Sequence, residues 1–231
     1  MQVALNVQSL LDPLSALVVV GGTLVATFLR CGWADCRTAI GALFALRKGR
    51  FNAERARGEL ATHVQAIRRD GLVRAQSHHF GDEEFDDACD AMAQTHSLTA
   101  LRDAHRNHRL KRQERARHAV ETFAQAAELA PVFGMAGTLI SLTQLPSGGA
   151  AHADFTGAIA MAVLTTLYGL LLGNIVFAPL ARVIERAAQA EERERQVVVD
   201  WLEAQIAPAV PKLHEASAAT ASAGSHRQAR A

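Results

Sequence analysis

Three long stretches of this 231-residue chain contain no Asp, Glu, Lys or Arg: Pro13 to Leu29, Leu129 to Leu145 and Phe155 to Leu180. A helix needs about 20 mostly apolar residues, with a range of about 17 to 25, to cross the hydrocarbon core of a bilayer. All three stretches meet that requirement and read as membrane-spanning helices. Hydrophobic residues make up 49% of the chain and charged residues 20%, and the charges crowd into the segments between the spans. The expected fold is therefore all-α, a polytopic membrane protein with three transmembrane helices and a helical cytoplasmic domain. A formal net charge of +1 gives no concentrated basic surface, so nucleic acid is not expected as a partner.

Lys and Arg near the span ends set the orientation. None precedes Arg30, whereas Arg30, Arg37, Arg47, Lys48 and Arg50 follow the first span. Arg112, Arg115 and Arg117 precede the second, Arg182 and Arg186 follow the third, and the Pro146 to Asp154 connection carries none. The resulting map is a short periplasmic segment 1–12, a span 13–29, a cytoplasmic helical domain 30–123, a second span 124–145, a periplasmic loop 146–154, a third span 155–180, a cytoplasmic helix 181–207 and a tail 208–231. That tail is rich in Ala, Ser and His without periodicity, and is expected to be disordered. The N-terminus shows no secretory signal, having no basic leader and no small-residue cleavage site.

In the middle segment Leu60, Val64, Ile67 and Gly71/Leu72 recur at three-to-four-residue spacing, which predicts amphipathic helices. Asp82 before Glu83, Glu84 and Phe85 predicts a cap and an acidic first turn. The three cysteines, Cys31, Cys36 and Cys89, are an odd number with no metal-knuckle spacing and suit a reduced compartment. His78, His79, Asp82, Glu83, Glu84, Asp86, Asp87, Cys89 and His96 form the one cluster that could suggest metal or catalysis, with Glu83 and Asp87 at i, i+4. An acidic helix start and a solvated face explain the same residues, so neither enzyme activity, a metal nor a cofactor is expected.

The spans themselves are rich in small and hydroxylated residues. On the third, Ala158, Ala162, Thr165, Gly169 and Gly173 fall in a stripe about 80° wide at about 100° per residue. Gly22 with Ala26 and Gly137 with Ser141 repeat the pattern, and such stripes let helix backbones approach closely in lipid. Gly22, Gly137, Gly169 and Gly173 are thus candidate packing positions. Thr138, Thr165 and Thr166 place hydroxyls at mid-membrane depth, where they either bond back to an i−4 carbonyl or line a polar path able to hold a cation or a water wire. Nothing from Leu129 to Leu145, nor from Phe155 to Leu180, titrates near neutral pH, so a conducting path would need its carboxylate from a partner. Pro131 and Pro179 lie near the cytoplasmic ends of these spans, where each frees a carbonyl and can kink its helix.

The residues Leu11-Asp12-Pro13-Leu14-Ser15-Ala16-Leu17 with Gly21-Gly22-Thr23-Leu24 resemble the second span of the MotA and PomA stator family. Glu128 through Leu139, reading Glu-Leu-Ala-Pro-Val-Phe-Gly-Met-Ala-Gly-Thr-Leu, is similar to that family's third span, and Ala160 through Gly169 to its fourth. The resemblance covers about Leu10 to Ile206. It implies an inner-membrane homopentamer around a MotB-like dimer whose single span carries the ion-binding aspartate. Proton or sodium flow would turn the pentamer, whose cytoplasmic helices push the rotor protein FliG. By position it implies Thr138, Thr165 and Thr166 on the ion path, Pro131 and Pro179 in conformational coupling, and Arg68, Arg69 and Gln76 in the stretch that meets the rotor.

Departures from the family pattern accompany this match. Gln76 stands where the family has a glutamate, which would shift a charged rotor contact towards Asp82 or Glu83. Val132 replaces a glycine. Only about ten residues precede the second-span motif, so the family's first span is expected to be missing. Three spans with a large cytoplasmic segment after the first also match the topology of the related ExbB and TolQ energisers, the alternative expectation.

Overall fold

The computed structural model describes residues 13–48, 51–70, 82–95, 97–143 and 152–207. Among these there is no strand. The elements are α1 (Pro13–Lys48), α2 (Ala53–Asp70), α3 (Glu83–Thr95), α4 (Leu98–Thr143), α5 (His152–Leu171), a π-helical turn (Leu172–Phe177) and α6 (Ala178–Ile206). Three helical segments are long and apolar enough to cross a membrane, within Ser15–Arg47, Leu98–Thr143 and Thr156–Ile206. The chain is thus an all-α, multi-pass membrane protein.

Helices outrun the apolar stretches that seeded them. α1 continues past Leu29 to Lys48, because the Arg and Ala residues that follow are good helix formers. It is broken at Gly32, whose φ of 83° and ψ of 171° lie outside the helical region. Only glycine takes such a conformation without a steric penalty. α5 begins at His152, inside the connection expected to be a loop to Asp154. Residues 1–12, 71–81, 144–151 and 208–231, and with them the expected N-terminal segment, part of the loop and the tail, lie outside the described residues.

Two compact units make up the chain. The first takes residues 1–49 and 114–187. Its interior is built from small side chains: Ala39 with Ala119 and Ile184, and Ala126 with Ala130 and Phe177. The Phe123 and Phe177 rings lie 6.5 Å apart. Large apolar side chains point outward instead, with Leu29, Leu139, Val163 and Ile175 each 62–76% exposed. That inversion suits a solvent of lipid chains or neighbouring helices rather than water.

The second unit takes residues 50–113 and 188–231 and has an ordinary water-soluble core. Asn52 caps α2 by accepting from the Glu54 and Arg55 amides at 3.0 and 3.1 Å. Asp82 caps α3, its carboxylate accepting from the Glu84 amide at 3.2 Å, as the acidic start there predicts. Leu60 and Val64 of α2 pack with Phe85, Cys89 and Met92 of α3, Leu101 of α4 and Val198, Val199 and Leu202 of α6. Asp82, ahead of α3, and Glu84 within it turn towards Arg195, which reaches them at 2.9 Å and 3.5 Å with its guanidinium 4.3 Å over the Phe51 ring, while Glu83 and Asp87 stay exposed. Arg112 joins Glu84 and, at 2.5 Å, Glu192. Asp82 therefore serves both a helix cap and a part-buried ion pair. Among the described residues no three His, Cys, Asp or Glu side chains gather as a metal site; His78, His79 and His96 lie outside those residues.

Candidate functional site: a hydroxyl-bearing groove between two spans

Close backbone contact between α4 and α5 positions the site. A Cβ on Gly137 would lie 2.7 Å from the Thr165 Cβ, and one on Gly169 would lie 2.6 Å from the Ala130 carbonyl oxygen and 2.9 Å from the Gly134 Cα. One on Gly173 would lie 2.7 Å from the Ala127 carbonyl oxygen and 3.2 Å from the Pro131 ring. Gly22 of α1 faces the Phe133 ring with no room for a side chain. Each of the four glycines singled out in the sequence thus sits at a helix crossing, and Gly134, part of the same seam, joins them. Its own Cβ would meet the Thr165 carbonyl oxygen at 3.0 Å.

Beside this seam runs an open groove of about 410 Å³ lined by Thr138 of α4 and by Ala162, Val163, Thr166, Leu167 and Leu170 of α5. Its accessible walls are almost wholly apolar, and Thr138 and Thr166 are its hydroxyl-bearing residues. Thr138 donates to the Met135 carbonyl at 2.6 Å and Thr166 to the Ala162 carbonyl at 3.2 Å. Back-bonding satisfies the proton of each hydroxyl but leaves lone pairs on the oxygen. Such an oxygen can accept from water or coordinate a cation, so back-bonding and ion contact are compatible.

Thr165 does not share the groove. It is 1% exposed, donates to the Ala162 carbonyl at 2.9 Å and packs in the seam on Gly137. Neighbouring residues on a helix point about 100° apart, so the adjacent threonines divide between packing and lining. The structure brings together Thr138 and Thr166, and separately Pro131 and Gly173. Arg68 and Arg69 lie on α2 near its end, their side chains outside the described residues, as is the whole of Gln76.

One polar residue was not singled out from the sequence. Asn174 is exposed and donates from Nδ2 to the Leu170 carbonyl at 3.0 Å. Thr166, Leu170 and Asn174 follow at steps of four, which continues the groove-side face by one turn. Its signal was available: Asn174 is the sole carboxamide between Phe155 and Leu180. Pro131 lies inside α4, and Pro179 comes two residues after the end of the π-turn, in the first turn of α6. A proline ring clashes with the carbonyl four residues back, here that of Ile175, and a widened turn at that place relieves the clash.

Known proteins share this chain's sequence pattern and fold. Over 197 residues the chain is 26% identical to the chemotaxis protein PomA of Vibrio alginolyticus, an alignment covering 82% of this chain and 75% of that one. The fold is similar to that in the structure of the flagellar MotAB stator complex from Bacillus subtilis, with a TM-score of 0.76, 21% identity and coverage of 90% of this chain and 84% of the other. The C. jejuni MotAB structure gives a TM-score of 0.77 at 18% identity, covering 92% and 84%. The model of the MotA/TolQ/ExbB proton channel family matches residues 75–197, more than half of the chain. The chain belongs to the MotA/TolQ/ExbB proton channel family.

Proposed function

We propose that the chain is the channel-wall subunit of a flagellar motor stator in the bacterial inner membrane, coupling proton or sodium flow to torque on a rotor. One observation carries the reading. Thr138 and Thr166 bring hydroxyls to the groove, and the apolar stretches that form it, Leu129 to Leu145 and Phe155 to Leu180, contain no acidic side chain. A path for ions that lacks its own carboxylate calls for a second subunit to supply one. The partner is then a MotB-like single-span protein whose membrane aspartate binds the ion, and whose peptidoglycan contact holds the unit still.

Several copies of this chain, five by analogy with the family, would surround that partner. The outward apolar side chains of α1, α4 and α5 provide the surface for neighbouring copies and for lipid. Thr138 and Thr166 contact the passing ion, Thr165 keeps the α4–α5 seam in register, and Pro131 and Pro179 mark where conformational change passes along the helices. The Arg68, Arg69 and Gln76 stretch is the proposed contact with the rotor protein FliG. PomA and the MotAB stator complexes among the similar proteins support this reading over the ExbB- and TolQ-like energiser reading.

Co-expression of the chain with a MotB-like partner in a motile bacterium stripped of its own stators tests the proposal. Restored swimming that disappears when the partner's membrane aspartate is changed to asparagine is the expected result. Restoration of an outer-membrane import defect instead, with an ExbD-like partner, would contradict it.

A further inference from the structure

The side chains buried along α5, the π-turn and the start of α6 are Thr165, Gly169, Gly173, Phe177 and Ala181, at steps of four. An uninterrupted α-helix cannot keep such a row on one face. At about 100° per residue, the sixteen steps from Thr165 to Ala181 would carry Ala181 about 160° around the helix from Thr165; one residue absorbed in a π-turn reduces this to about 60°. The Leu172–Phe177 turn is that absorption. Its surplus appears on the outer surface, where Asn174, Ile175 and Val176 are exposed in succession.

A second backbone irregularity lies directly opposite. Pro131 has no N–H, so the carbonyl of Ala127, four residues before it, loses its helical donor. Gly173, the second residue of the π-turn, is the residue packed on that carbonyl and on the Pro131 ring. Two neighbouring helices thus carry their defects at one level, with only glycine and proline between the backbones.

We propose that the π-turn Leu172–Phe177, seated by Gly173 on the Ala127 carbonyl and Pro131, is the joint at which the groove-bearing α5 twists against α6 during the ion cycle. A π-turn holds one residue more than the surrounding α-helix needs, so the surplus can be passed along the helix without unfolding it. Passing it by one turn re-aims the groove-side residues while the buried row on either side keeps its partners. This rests on the ion-channel reading above.

Two single-residue deletions in the full chain, expressed with its partner, test it. Deleting Ile175 removes the surplus and leaves Asn174, Gly173 and both prolines in place. The expected result is wild-type co-purification with the partner and at least a tenfold loss of swimming. Deleting Val183, beyond the π-turn, rotates the following helix by about 100° and is expected to abolish co-purification. Wild-type swimming of the Ile175 deletion would overturn the proposal, and so would loss of assembly equal to that of the Val183 deletion, because the residue would then not be surplus. If the unaltered chain fails to drive swimming with any partner, the stator reading fails. Equal assembly defects in the two deletions would still overturn the surplus-residue claim by itself.

Discussion

Gly169 and Ala130 face each other across two membrane helices so closely that a Cβ on Gly169 would come within 2.6 Å of the Ala130 carbonyl oxygen. No flexible side chain is available to move aside, since the obstacles are the backbones of Ala130 and Gly134. Gly169→Ala is therefore expected to lower the stability of the assembled protein by about 1–3 kcal/mol, the usual range for overpacking. Gly157, on the same helix with nothing within 4 Å of a built Cβ, is the control. Thermal denaturation of the detergent-solubilised protein should shift for Gly169→Ala and stay unchanged for Gly157→Ala.

The seam and groove threonines should separate by phenotype. Thr166→Ala keeps the fold, because its hydroxyl only returns to its own helix, but removes an oxygen from the groove. Thr166→Ser restores that oxygen and is expected to restore swimming. Thr165→Val keeps the shape of the side chain in the seam and is expected to leave more swimming than Thr166→Val. Swimming speed measured beside co-purification of the partner separates loss of function from loss of assembly.

How far the sequence revealed these features depends on the range over which each one acts. The spans, the Asp82 cap and the Leu60 and Val64 core positions depend on neighbours within a turn or two, and local patterns show them. The small-residue stripe is visible as well, but a stripe about 80° wide does not say which edge meets the partner helix, so it does not divide Thr165 from Thr166. The π-turn needs the buried row to be followed through the end of the membrane span, where an apolar window stops. Glu83 and Asp87 do form a solvated face, but Asp82 and Glu84 beside them meet Arg195, which comes from α6 more than a hundred residues later and which no local pattern shows.

Arg195 is the strongest single stability prediction in the second unit. Its side chain is 10% exposed, pairs with Asp82, Glu84 and Glu191, and lies over Phe51. Its carboxylate partners are only part-buried, so removing it leaves charge that water can partly solvate and costs less than breaking a fully buried pair, about 1–3 kcal/mol. Arg195→Leu is expected to destabilise by that order. Arg195→Lys should also destabilise, since an ammonium lacks the planar fork and the stacking surface. Limited proteolysis of the detergent-solubilised protein would read both as faster cleavage within the second unit.

His105 gives a pH dependence outside the spans. It is 9% exposed, its Nε2 has no hydrogen-bond partner, and its ring lies on Phe85 at 6.4 Å. Burial pushes its pKa below the ordinary 6.5; Glu192 opposes the shift, and Arg109, Arg195 and His108 add to it. The folded unit therefore holds this imidazole neutral while the unfolded chain protonates it. The contribution to stability is complete above pH 6.5 and declines as pH falls below that value towards the folded pKa. Melting temperature followed from pH 7.5 to pH 5 should drop, and His105→Phe should flatten that part of the curve.

Cys89 should behave in the opposite direction. Burial, with Asp86 and Asp90 nearby, pushes its thiol up from 9.0 to about 12. The folded state keeps the proton that the unfolded chain gives up, so this contribution holds below pH 9 and is lost between pH 9 and pH 12. Iodoacetamide at pH 8 should leave Cys89 unmodified in the folded protein and alkylate it after denaturation, as read by peptide mass spectrometry.

The central claim is that ions pass beside Thr166 in a groove whose carboxylate belongs to another chain. It is tested most directly by ion flux in vesicles containing the chain with its single-span partner, measured for wild type, Thr166→Ala and the partner's Asp→Asn variant. Flux in wild type, with at least a tenfold loss in both variants and unchanged assembly, is the predicted result. Undiminished flux in Thr166→Ala, or in the absence of the partner's carboxylate, would contradict it.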